Sequence, residues 1–505
     1  MRQAVARVVR MGVLLLPLAF GGCARMIHSY DLAPNGMTRV DDTWRRMLVA
    51  GRGDSVASRI VRGGNDVPGD ELMRILFIAT AAHYGGDYVA SNQYLEAAAA
   101  IADDRVTKSL SRSALSLISS DGVLPYAPAR TERLLIPYYA ALNYIALGEM
   151  QDAAVEARRL AALLQSNTDA DDDVRPLHAA LRSFTGAVFE ATGNRNDALV
   201  AYRNAAALGA PVDTLSLTST ASNTTGTVVV LLENGFVAHR VEQNLFVWLG
   251  TDEMHAFGTS GNDREHTASS VAGRVMLAAL GPDNARGRHA GRGRGDLHVP
   301  LSPDAQRLAS NQRQRCDGNA QHGREGRPAN GRPHVDQDSS RDAACDDDED
   351  VPYLLKVAWP VYTGGESLGS GVVIAGSDTV YAQFADLSGA LVHDYDSQLP
   401  LIVARTVARG AAKAAMTQSA KKKASKRNEG LGKLIGLLGN VGNVMLERAD
   451  TRSWHLLPAG VAVVRLRVPP GAQHLSVSMS GQSAIDLGTV DVRPGTLSFV
   501  SRRAW

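Results

Sequence analysis

The stretch Leu134 to Gln165, LLIPYYAALNYIALGEMQDAAVEARRLAALLQ, decides how the rest of the chain is read. Its apolar and small residues recur at three-and-four spacing, first at Ile136, Tyr139, Leu142, Asn143 and Ile145 to Leu147, then at Ala153, Val155, Ala157, Leu160, Ala161 and Leu164. That spacing lines residues up on one face of an α-helix. Leu147-Gly148-Glu149 separates the two runs, and a glycine there ends the first helix because it turns left-handed without a steric penalty. The sequence therefore predicts a helical hairpin, with Ala141 and Ala153 small enough to let its arms approach closely.

Two neighbours carry similar punctuation. One is Gly86-Asp87-Tyr88 followed by Tyr94 and Ala98; the other is Gly186, Phe189, Gly193, Ala198, Tyr202 and Ala205, closed by Pro211. Small residues where paired helices touch, with aromatics filling the gap to the next pair, are the marks of a tetratricopeptide (TPR) array. Gly86, Gly148 and Gly193 lie further apart than its period of about 34 residues, so insertions are required. An array of ordinary Ala-rich helices is the alternative. A TPR-like domain over residues 70–212 would offer a concave face to a protein or peptide, with Tyr138, Tyr139 and Tyr144 as candidate contacts and Tyr144 also a candidate for the core.

The amino terminus supplies an address. Arg2, Arg7 and Arg10 precede the apolar run Met11 to Phe20, which ends in Phe20-Gly21-Gly22-Cys23. The run is a secretory signal and is too short for a membrane span. The small pair before a cysteine resembles the lipobox of bacterial lipoproteins, although Phe20 stands where that pattern prefers leucine. The resemblance implies that residues 1–22 are removed and that Cys23 is acylated; the alternative is an ordinary signal with an incidental cysteine. A mixed, Gly-rich tether is expected over 23–69, with a helix at Asp41 to Ala50. Each buried acyl methylene contributes ~0.8 kcal/mol, so several chains hold the protein to a bilayer. Ala24 in place of aspartate implies, by the same resemblance, the outer membrane.

With a net charge of +1 over 505 residues, the chain is neither polycation nor acidic tail, which argues against nucleic acid as its main partner. Cys316 and Cys345 are the remaining cysteines, so no disulfide framework is implied.

After Asp213 the pattern changes. Val228 to Leu232 reads as a buried strand and Asn234-Gly235 as a hairpin turn, so a β domain starts within 213–250. From 251 to 350 the composition moves to Arg, Gly, Asp and His with little periodicity, which cannot bury enough apolar surface to order a chain. This interval is expected to be disordered, or else the product of two compensating frameshifts; in that case another reading frame of the gene encodes alternating apolar strands. Strands return over 351–505 at Tyr353 to Trp359, Gly371 to Ala375, Thr379 to Ala385, Ala462 to Val468 and His474 to Met479, with a helix from Leu399 to about Lys423. The expected class is α+β: a TPR-like helical domain, a disordered central insertion and a small antiparallel β-rich domain.

Chemistry is sparse. Gly365-Glu-Ser-Leu-Gly369 matches a nucleophile elbow, but a strand rather than a helix follows Ser367. Cys316, His322, His334 and Cys345 lack the close pairing of a zinc site. The Arg-Gly run from Arg286 to Gly295 would attract polyanions, yet an exported protein meets little RNA. The Gly-rich segment from Gly430 to Leu446 is a poor membrane span. Glu447, Arg448, Asp450 and Arg452 read as a surface charge network or an interaction edge. No catalytic residue, metal ligand or cofactor is assigned.

Taken together, the lipobox, Tyr138-Tyr139-Ala-Ala-Leu-Asn-Tyr-Ile-Ala-Leu-Gly, Glu233-Asn234-Gly235 and Glu447-Arg-Ala-Asp-Thr-Arg-Ser-Trp-His-Leu-Leu-Pro resemble a family of TPR-containing lipoproteins of Gram-negative bacteria without assigned activity. The likeness covers about Ser119 to Gly250 and Val351 to Gly471. It implies a periplasm-facing lipoprotein with no assigned activity. Beside it, the helical domain is expected to make the chain a lipid-anchored scaffold of the cell envelope that binds a protein partner. The alternative is an enzyme, or an activator of enzymes, acting on peptidoglycan through the β-rich domain.

Overall fold

The computed structural model describes residues 39–63, 70–112, 124–166, 171–211, 224–249, 297–299, 353–365, 370–376, 378–426, 436, 447–479 and 483–505. The architecture is mixed α+β. Among the described residues, eight helices precede the first strand: α1 Arg39–Val49, α2 Gly53–Arg62, α3 Glu71–Gly85, α4 Tyr88–Arg112, α5 Arg130–Leu147, α6 Met150–Ser166, α7 Arg175–Ala191 and α8 Arg195–Ala207. Each packs on the next.

α3 with α4, α5 with α6, and α7 with α8 share one turn geometry. The stop glycine has φ 82° at Gly86, 78° at Gly148 and 76° at Gly193. The residue after it bonds back into the helix: Asp87 to the Ala82 carbonyl at 3.0 Å, Glu149 to Tyr144 at 2.8 Å and Asn194 to Phe189 at 2.8 Å. That bond satisfies a carbonyl the helix end would otherwise orphan. Close packing follows from small residues, since a Cβ on Gly186 would stand 2.8 Å from the Tyr202 ring.

The strands are β1 Gly226–Asn234, β2 His239–Leu249, β3 Leu297–Val299, β4 Tyr353–Thr363, β5 Ser370–Ala375, β6 Asp378–Gln383, β7 Ala385–Asp386, β8 Gly460–Val468, β9 Gly471–Met479, β10 Ile485–Val492 and β11 Leu497–Ala504. Helices α9 Leu387–Asp396 and α10 Leu399–Ser425 lie between β7 and β8. The three sheets run β11-β1-β8-β7, β10-β9-β5-β6 and β3-β2-β4. β1 is apolar without alternation because both its faces are covered. Val229 and Leu231 join the core that includes the helices, while Val228, Val230 and Leu232 join the core between the first and second sheets. Helices and first sheet thus share one apolar core instead of forming separate units.

Several expectations are corrected. The Asn234-Gly235 turn does not make a hairpin, because β1 and β2 belong to different sheets. The ladder positions beside β1 are taken by β8 and β11, and the Asn234 carbonyl accepts from Ala459 while the Gly235 amide donates to Ala504. The β region is not purely antiparallel, since β11 pairs parallel to β1 from Thr227↔Leu497 to Asn234↔Ala504. Within the tether expected over 23–69, the helix expected at Asp41 to Ala50 is α1, Arg39–Val49; α2 was not expected, and Trp44, Leu48, Val56 and Ile60 of the two helices are buried.

β2 pairs with β4 from His239↔Thr363 to Leu249↔Tyr353. Residues 250–352 therefore leave and re-enter at one end of the β2–β4 pair, which β3 extends to three strands. Of the segment expected to be disordered, the described part is β3, which pairs parallel with β2; the remainder of 251–350 lies outside the described residues.

Candidate functional site

The first helix of each hairpin faces inward: α3, α5 and α7 meet the first sheet, α9 or the loop before β8. Polar groups are buried along this seam. Glu233 ends the apolar run of β1 on the helix-facing side and is 2% exposed. The Tyr84 hydroxyl donates to Glu233 Oε2 at 2.7 Å and lies 2.7 Å from the Tyr139 hydroxyl. Tyr138 stands close by; its hydroxyl and Glu233 Oε1 are buried and make no hydrogen bond of ordinary geometry, yet Glu233 is near enough to act on the phenol as a long-range acceptor. Burial pushes all three phenols well above the ordinary tyrosine range, and the nearby Glu233 carboxylate adds to the effect. His83 is pulled down by burial although its Nδ1 lies 2.5 Å from Asn143 Oδ1, so it is neutral at pH 7.

Beside this cluster sits Arg503 of β11. Its guanidinium stacks on Trp505, Tyr84 and Phe236 at 4.2, 4.6 and 4.6 Å, a favourable placement of a cation on ring faces. Its N–H groups donate to the carbonyls of Gly235, Leu456 and Leu457. Arg45 of α1 stands over Phe236 at 4.8 Å and donates to the carbonyls of Val237 and His455. Burial first, then the nearby Arg503 charge, lowers Arg45 to about 9, which still leaves it charged at neutral pH.

The segment from Glu447 to Ala459 runs through the seam before β8. Glu447 is 2% exposed and binds Arg409 at 2.8 Å and Lys413 at 2.6 Å, both on α10. The Ala449 amide donates to Glu242 of β2. Arg452 pairs with Asp450 and donates to the Leu124 carbonyl. Trp454 donates its amide to Glu132 of α5 and its indole N–H to Thr80 of α3 at 2.7 Å. Glu132 also accepts from the Tyr126 hydroxyl at 2.5 Å. The charges expected to form a surface network at Glu447, Asp450 and Arg452 are instead committed to bonds inside the molecule.

Of the sequence-derived contact residues, Tyr138 is 0% and Tyr139 1% exposed. Both belong to the core, and a partner at the surface does not reach them. Tyr144, at the end of α5, is half-buried, and burial with the carboxylates of Glu156, Asp152, Glu149 and Glu96 raises its phenol. Cys23, Ser367, Cys316, His322, His334, Cys345, the Arg286–Gly295 run and all of Gly430–Leu446 except Gly436 lie outside the described residues. Arg503, Arg45 and Glu132 escaped the sequence reading because each stands beside other charges, Arg502, Arg46, and Arg130 with Arg133, and so reads as part of a solvated face. One signal was available: a glutamate closing Val228 to Leu232 must find a buried partner.

The arrangement locks helices to sheet. Among the described residues no group of three or more His, Cys, Asp or Glu side chains is placed to hold a metal, and the phenols stay protonated. On the second helices, Val89 of α4, Val155 of α6 and Val200 of α8 are 55, 43 and 53% exposed. No helix among the described residues is long and apolar enough to cross a membrane. Compared with protein-family models, curated proteins and solved structures, the chain matches none.

Proposed function

We propose that this chain is a lipid-anchored scaffold of the cell envelope. Acyl chains on Cys23 hold it to the outer membrane, facing the periplasm, and a TPR-like array of hairpins binds an envelope protein. The inner helices are occupied by the chain's own sheet, so the outer helices α4, α6 and α8 carry the binding. The observation behind this reading is a repeated exposed position. Val155 and Val200 each follow the stop glycine at the same interval, 148 to 155 and 193 to 200, and both stand in solvent. Repeat proteins present equivalent positions as one continuous strip, and exposed valines in register give a partner an apolar contact line.

The test is crosslinking and recovery of the acylated protein from its own membranes, with Cys23→Ala as the unanchored control and Val155→Glu/Val200→Glu as the surface variant. The scaffold reading expects one envelope protein to be enriched with the parent, and lost with the valine variant while its thermal unfolding is unchanged. Equal recovery from the valine variant removes the outer helices from the reading, and recovery of glycan alone removes the protein partner.

A further inference from the structure

We infer that α10 is a second membrane contact: its exposed side and cationic carboxy-terminal end dock on an anionic lipid surface, independently of any acyl anchor at Cys23.

α10 contains no Asp or Glu from Leu399 to Ser425, while it carries Arg405, Arg409, Lys413 and Lys421 to Lys423. Its inner side is accounted for. Val403, Val407 and Ala414 are buried, and Gly410 lies so close to β4 that a Cβ would stand 2.5 Å from Leu355. Arg409 and Lys413 share one carboxylate, Glu447, and so face inward. Beyond Lys413 the cations change role. Lys423 and Lys426 are exposed and Lys421 is half-buried, and the described residues offer them no ion pair with a carboxylate.

The outer side is the unusual part. A helix on a protein surface ordinarily shows charged residues to water. Here Leu401 and Met416 are 54 and 58% exposed, and Ala404, Ala408 and Ala412 between them are exposed as well. At 1.5 Å per residue this apolar row is about 22 Å long. It runs into the exposed Lys423, so the helix offers an apolar strip leading to positive charge with no negative charge anywhere along it.

Charge complementarity selects an anionic occupant, and the apolar row selects its kind. A nucleic acid meets a protein through phosphates and would be served by cations alone. A lipid surface meets both features, because phosphates attract the lysines while an apolar side settles at the boundary between headgroups and acyl chains. Lysines near an anionic leaflet contribute on the order of 1 kcal/mol each, and the attraction falls away within a Debye length.

The test places an environment-sensitive fluorophore on the row itself. The full chain carries Met416→Cys in a background of Cys23→Ala, Cys316→Ala and Cys345→Ala; a second protein carries the label at Val200→Cys on α8. Vesicles of phosphatidylglycerol with phosphatidylethanolamine are added, and vesicles of phosphatidylcholine serve as the neutral comparison. The expected result is a blue shift at position 416 with anionic vesicles only, reversed by salt, with no shift at position 200. Lys421→Gln/Lys423→Gln/Lys426→Gln should weaken the titration by about 100-fold, with an unchanged circular dichroism spectrum. No shift at 416, an equal shift with phosphatidylcholine, or full binding by the glutamine variant would each overturn the inference. So would a shift produced by a DNA oligonucleotide or an acidic protein where vesicles give none.

Discussion

Glu233 and Arg503 stand opposite each other across the parallel ladder of β1 and β11, and Tyr84 of α3 serves both. Its hydroxyl donates to the carboxylate and its ring lies 4.6 Å below the guanidinium. One side chain from the helices thus reads two strands that are far apart in sequence. The bond and the stack are separable by substitution. Tyr84→Phe keeps the ring under Arg503 and removes the hydroxyl, which leaves a buried acceptor unpaired at a cost of about 1–3 kcal/mol. Tyr138→Phe removes a buried hydroxyl that faces Glu233 without a bond of ordinary geometry, so it should cost less than Tyr84→Phe. Urea unfolding of the two variants side by side checks the contrast; equal losses would mean that Tyr84 gains nothing from Glu233.

Glu447→Ala strips the fully buried Arg409 of its carboxylate. Breaking a buried pair from one side costs about 3–5 kcal/mol, because the remaining charge has no water to turn to. Arg409→Met combined with Glu447→Leu should be less destabilised than Glu447→Ala alone, since the fully buried cation is then gone and the one left without a carboxylate, Lys413, is partly exposed. Thermal unfolding of the three proteins decides it.

His178 of α7 is 3% exposed, and burial, with Arg182 adding, lowers it to about 4. An unfolded histidine titrates near 6.5, so between the two values the folded protein binds fewer protons than the unfolded chain. The contribution of His178 is fully present above about pH 6.5, declines as pH falls and is gone below about 4. His178→Gln should flatten the stability profile across that window, as read by urea midpoints at a series of pH values. An unchanged slope would assign the acid sensitivity to other groups.

Leu249 and Tyr353 are ladder partners at the end of the β2–β4 pair, so a short Asn-Gly turn in place of residues 250–352 joins the two strands where they already meet and removes β3 from the other edge of β2. Loop-closure entropy grows only with the logarithm of length, so shortening the closure from about 100 residues to a turn is worth on the order of 3 kcal/mol, less what the pairing of β3 with β2 contributes. The expected outcome is a protein with the same circular dichroism spectrum and an equal or higher unfolding temperature. Loss of cooperative unfolding would show that the interval supplies structure the pair needs.

The helical hairpins were legible because their signals are local. Gly148, Gly86 and Gly193 stop helices by backbone geometry that needs no tertiary partner. The strands at Val228, Gly371 and Ala462 were legible from composition for the same reason. What stayed hidden was pairing. Asn234-Gly235 has the right residues for a hairpin, yet β8 and β11 hold both sides of β1, and a turn sequence carries no information about competing strands. Ile485–Val492 and Leu497–Ala504 were missed because Asp486, Gly488 and Arg502 interrupt their alternation. The inward face of α5 was read as a surface: Tyr138 and Tyr139 look like contacts until the sheet that covers them is known, and that sheet is encoded after residue 224.

The parallel pairing of β1 with β11 also sets a timetable. β1 is made soon after the helices, and its Val-Val-Val-Leu-Leu run can join α3 at once, but its ladder partners β8 and β11 are made only after every helix and most other strands. Through that interval the strand presents apolar side chains and unpaired amides, the combination that recruits like strands into aggregates. Production of this chain should therefore depend on a holding chaperone more than its final stability suggests, and variants that slow the arrival of β11 should be lost as insoluble protein before they are lost as weak folders.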